Sequence, residues 1–227
     1  MSRNLYPEDI YLSPCFAIKR FLGLRDEYGD LEAVTNGEYK PEREMWITGV
    51  FLLGIGLLTG KEYWLRPNRE DSAPDIFAIS PVGSKKGVVA ETQNIEIFEY
   101  ESHSKGTLIE AIRGKLSGKA YTDNYLLLCY VHDRAGEEFN TKEVCEAVKS
   151  ISPNISQIWV LTNTLGTVNT EHVMVQVFPN YILRRYNYIE LCKSSKQIEM
   201  IKARRDLTKI TTEVEFEPLG KYILKLP

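Results

Sequence analysis

Little in the 227-residue sequence marks a cross-linked, exported or membrane-spanning protein. Its four cysteines, Cys15, Cys129, Cys145 and Cys192, are far apart and form no CxxC pair, which excludes the ligand spacing of zinc ribbons and of thioredoxin-like redox motifs. Cys129 lies in the apolar run Tyr125–Val131, so reduced, partly buried thiols are expected, as in a cytoplasm. The first residues, MSRNLYPEDIYLS, carry charges and a proline where an export signal needs an apolar segment, and the expected location is cytoplasmic. The longest apolar stretch, Met45 to Leu58, falls short of the roughly 18 residues that suggest a membrane span. It reads as a core helix, and no membrane partner is expected.

Charge of one sign is also scarce. The formal net charge is −3 and the pI about 5.8, which argues against a molecule coated for polyanion binding and leaves only local basic surfaces. His103, His132 and His172 are scattered without zinc-ligand spacing, and no GxSxG or Walker sequence occurs, so the common nucleophile and P-loop chemistries are not indicated. There is no repeat and no low-complexity tract.

What remains is an ordinary globular composition, 43% hydrophobic and 26% charged, in a chain long enough to bury a core. Ser13-Pro14 sets an N-cap and a first helical position for CFAIKRFLGL. Pro41 opens EREMWITGVFLLGIGLL, a helix that Gly60 closes. Short strands follow at Glu62–Arg66, at Asp75–Ile79 and at VVAETQNIEIFEY, the last two as a hairpin around a turn at 81–87. Thr107 to Glu110 has the spacing of a capping box, with Leu108, Ile112, Leu116 and Ala120 recurring behind it. Tyr125–Val131 and Ile158–Leu161 read as buried strands with a helix starting at Asn140-Thr-Lys-Glu143 between them, and Val173–Phe178 as an edge strand. The expectation is an α/β fold: an N-terminal helical segment at 1–40, an α/β core at 41–180, and a C-terminal basic extension at 181–227 packed on it.

One strand carries an anomaly. Read with a period of two, Val89, Glu91, Gln93, Ile95 and Ile97 share a face, which places two polar groups on apolar surroundings. A buried carboxylate needs a metal, a basic side chain or water to satisfy it. If residue 81 opposes 87 across the hairpin, Asp75 falls opposite about Gln93 and diagonal to Glu91. Two carboxylates and an amide on one face suit a hard divalent cation.

Pro74-Asp75, then fifteen residues, then Glu91-Thr-Gln93, after a helix bearing Glu42 and Glu44 and before a helix and a strand, resembles the PD-(D/E)xK nuclease superfamily, which includes type II restriction endonucleases and archaeal Holliday-junction resolvases. The resemblance implies a restriction-endonuclease-like core, a mixed central sheet flanked by helices in the order αβββαβ. It also implies an endodeoxyribonuclease that hydrolyses DNA phosphodiester bonds with Mg2+, Mn2+ being a substitute. Asp75 and Glu91 would hold the metal, with Glu44 or Glu42 as a further ligand. Gln93 stands where lysine is usual; it can orient a water but carries no charge. Basic residues Arg113, Lys115 and Lys119 on the following helix, and Arg204 and Arg205 in a segment (182–209) with eight basic residues against three acidic ones, would contact the DNA backbone. A homodimer is a further expectation. Two alternatives stay open: an inactive nucleic-acid-binding or assembly module on the same fold, and a structural α/β protein in which Asp75 and Glu91 merely pair with Arg or Lys.

Overall fold

A computed structural model describes residues 7, 9–68, 70, 72–84, 87–101, 104, 106–117, 121, 124–132, 140–151, 153–163, 171–203 and 211–213. The fold class is α/β, as expected. The chain divides into two compact units, Met1–Asn94 with Ser194–Pro227, and Ile95–Lys193. This division cuts across the expected 41–180 core.

The first unit is built on two packed helices. Ser13 caps α1 (Pro14–Tyr28), its hydroxyl accepting from Phe16 N at 3.3 Å, and Gly29 closes it at a φ of 87° that L residues rarely adopt. A short helix, α2 (Asp30–Thr35), follows. The apolar stretch forms α3 (Lys40–Thr59), twelve of whose residues are buried, and Gly60 ends it at φ 68°. Helix α3 packs on α1 through Gly49, where an added Cβ would meet Pro14 O at 3.0 Å and Ile18 Cγ1 at 3.3 Å, so a side chain there would push the helices apart.

Strands β1 (Ile10–Leu12), β2 (Trp64–Pro67) and β3 (Ile76–Ser84) lie next to one another in that order. Outside β1 runs β9 (Met200–Lys202), and the pairings β9–β1, β1–β2 and β2–β3 are all antiparallel. The neighbour of β3 is β4 (Gly87–Tyr100), whose residues to Asn94 belong to this unit, and β10 (Thr211–Glu213) pairs with it through Thr211 and Glu91. Strand β1 went unseen in the sequence because three residues show no period.

The second unit begins with the rest of β4. Helix α4 (Leu108–Ser117) starts at the expected capping box, which is reciprocal: Thr107 N donates to Glu110 Oε2 at 2.8 Å and Glu110 N to Thr107 Oγ1 at 3.2 Å. Strands β5 (Tyr125–Val131) and β6 (Gln157–Asn163) are parallel and joined through α5 (Thr141–Ile151), which makes the sheet mixed. Antiparallel β7 (Glu171–Phe178) and β8 (Ile182–Asn187) follow. The edge is therefore β8, not the 173–178 strand. Helix α6 (Tyr188–Ser194) starts where Asn187 Oδ1 accepts from Ile189 N and Glu190 N. The core is a cluster that includes Leu127, Cys129, Val144, Val148, Val160 and Val175. All four cysteines are free, and burial pushes the Cys129 thiol far up, so it stays protonated. Among the described residues no helix is long and apolar enough to cross a membrane.

Candidate functional site

The hairpin differs from expectation at its turn. Strand β3 runs on to Ser84 and β4 resumes at Gly87, so the strands take in residues expected in a turn at 81–87. Phe77 and Ile79, paired with Arg66 and Trp64, share one cluster with Ala90. Glu91 and Gln93, odd neighbours of Ala90, therefore stand on the opposite face. Asp75 sits at a bend just ahead of β3, two residues before Phe77, and its carbonyl accepts from Asn68 N at 2.8 Å.

Glu91 is accordingly not buried. Its side chain is 53% exposed, and Lys61, beyond the end of α3, holds it with Nζ 2.6 Å from Oε2. Of the three means of satisfying this carboxylate, the structure uses the basic side chain. The hydrogen bond to Glu91 raises the Lys61 pKa above its ordinary value. Gln93 and Asp75 are each half-buried.

The helix glutamates are both buried in α3. Glu42 lies 3.7 Å from Arg20 Nη2, itself buried, and Glu44 lies 3.3 Å from Lys40 Nζ one turn earlier. Glu42 stands in the first turn, where it complements the helix dipole, and exposure does not set it apart from Glu44. Among the described residues, the His, Cys, Asp and Glu side chains close enough together to offer three ligands are Glu99, Glu101 and His132, and none of the expected donors is among them.

The second unit holds what the sequence reading passed over. Glu96 on β4 is 1% exposed, and Lys115 on α4 reaches it with Nζ 2.8 Å from Oε1. A carboxylate so buried is costly without a partner, and the Lys115 ammonium supplies one. The signal in the sequence was Glu96 itself, an acid between Ile95 and Ile97. Nearby, the carboxylates of Glu99 and Glu101 approach His132 Nε2 at 3.0 and 3.6 Å, all three side chains half-buried, with the imidazole edge-on to Tyr130.

Of the residues expected to meet DNA, Arg113 is exposed on α4, while Lys115 is taken by Glu96. Lys119, Arg204 and Arg205 lie outside the described residues. The rest of the basic segment is not one helix face. Arg184 and Arg185 are exposed on β8 in the second unit, and Lys202 on β9 in the first pairs with Asp9 at 3.3 Å. Compared with protein-family models, with curated proteins and with solved structures, the chain matches none of them.

Proposed function

We propose that the protein is a metal-dependent endonuclease with a restriction-endonuclease-like core, in which Glu96 and Lys115 take the acidic and lysine roles first sought at Glu91 and Gln93. The observation that carries this reading is the buried Glu96–Lys115 pair at 2.8 Å. It supplies the cation that Gln93 lacks, and it stands within the element run α3, β2, β3, β4, α4, β5, an αβββαβ order.

Glu96 offers a hard carboxylate oxygen, the donor that Mg2+ takes alongside waters and phosphate oxygens. Mg2+ or Mn2+ bound there would polarise the scissile phosphate and lower the pKa of a water. Lys115 brings a positive charge and hydrogen-bond donors to the buried carboxylate. Arg113, exposed on the same helix, contacts the phosphate backbone and positions the strand.

A second reading, a nuclease-like module without catalysis, is favoured by one observation: Glu91 is closed by Lys61. Supercoiled plasmid incubated with the protein and Mg2+ or Mn2+, beside an EDTA control, separates the two. Metal-dependent nicking that Glu96→Gln abolishes and Glu91→Gln leaves intact supports the endonuclease. Inactivity with both metals, with retained DNA binding, supports the module.

A further inference from the structure

Among the described residues of the first unit, one buried cation has no hydrogen-bonded or ion-paired acceptor. Arg66 on β2 is 8% exposed, and its Cζ lies 4.6 Å from the centre of the Phe77 ring and 5.4 Å from that of Tyr11. Its Nε is fully buried without a hydrogen-bond partner, and so is the hydroxyl of Tyr11, a residue with no exposed surface. Among the described residues no carboxylate or carbonyl oxygen bonds the guanidinium. The strand registers explain the grouping. Arg66 faces Phe77 across β2 and β3, and Leu65 faces Leu12 across β2 and β1, which brings Tyr11 beside Arg66.

Ring faces attract a cation but give its N–H groups no in-plane acceptor, and a guanidinium has five donors in a rigid fork. A guanidinium against aromatic rings with its buried Nε–H unanswered has the chemistry that recognises a planar or tetrahedral oxyanion. We propose that Arg66 and the Tyr11 hydroxyl form an oxyanion site that takes a phosphate group. Assigning that phosphate to a nucleic-acid strand rests on the nuclease reading; the site itself does not.

Inorganic phosphate titrated into the full chain, with ionic strength held by chloride, tests it by Tm and calorimetry. A saturable rise in Tm beyond that in chloride is expected for the wild type. Arg66→Met, which keeps an apolar stem between the rings, should weaken phosphate binding by at least about tenfold, and Tyr11→Phe should weaken it less. No saturable effect in the wild type, or unchanged affinity in Arg66→Met, overturns the proposal. Should Arg66→Met not fold, Arg66→Lys serves. It keeps the charge without the fork, and affinity within about twofold of wild type overturns the proposal equally. A short DNA duplex added in EDTA then identifies the source. Displacement of phosphate supports a nucleic-acid phosphate, and independent binding of the two supports a site for free phosphate. Phosphate binding without plasmid cleavage sinks the nuclease reading alone; cleavage without phosphate binding at Arg66 sinks this inference alone.

Discussion

Strand β4 contributes a glutamate to a lysine in each unit, and the two pairs differ in what surrounds them. In the first, Lys61 and Glu91 meet at 2.6 Å with side chains 40% and 53% exposed. In the second, Lys115 and Glu96 meet at 2.8 Å with 26% and 2% exposed. Distance alone would rank the first pair higher. Burial reverses the ranking, because an exposed pair gains about 0–1 kcal/mol against water and salt, whereas removing one partner of a buried pair leaves an uncompensated charge that costs about 3–5 kcal/mol. A short contact shows that two groups have met, and solvent decides what the meeting is worth.

The largest effect expected from breaking this comparison is on activity. Glu96→Gln should abolish metal-dependent cleavage and Glu91→Gln should leave it near wild type, read as nicked plasmid over time. Equal loss in both variants would return the site to Glu91. On stability, Lys115→Ala should cost about 3 kcal/mol in urea unfolding, since Glu96 then stays buried without its cation. The double variant Glu96→Gln with Lys115→Met should recover much of that loss, because neither charge remains. A Lys115→Ala protein as stable as wild type would show that the pair is solvated.

A smaller change sharpens the same point. Lys115 is carried by α4, whose start is fixed by the Thr107–Glu110 box. Thr107→Ala should cost about 1 kcal/mol, as an added increment well below that of Lys115→Ala in the same unfolding experiment.

The capping box shows what was legible in the sequence: a local signal, two side chains three residues apart, predicts its own geometry. The Ser13 cap, the Gly60 stop and the Tyr125–Val131 strand are of this kind. The site was less legible. Gln93 and Glu91 looked inward because they alternate with Val89, Ile95 and Ile97, and alternation does not say how far along a long strand a face stays covered. Glu96 was obscured because Ile95 to Ile97 are all buried, a run whose alternation carries no clear face. Lys115 was read as a phosphate contact because nothing local tells a lysine reaching down from one reaching out. Arg66 needed three strands to bring its rings together, and no sequence period reports that.

The smallest expected effect tests the exposed pair. The hydrogen bond to Glu91 raises the folded pKa of Lys61 above the ordinary 10.5, so the stabilisation is fully present below that value and disappears as pH rises through the folded pKa. At pH 7 Glu91→Gln should lower stability by no more than about 1 kcal/mol, and 1 M salt should shrink the difference, since the pair is exposed. Above pH 10.5 the wild-type and Glu91→Gln unfolding curves should converge as Lys61 loses its proton. Melting temperatures of the two proteins at pH 7 and above 10.5, each at low and high salt, read this directly. A gap indifferent to both pH and salt would mean that Glu91 acts through something other than Lys61, and the contrast between the two pairs would then no longer rest on solvent.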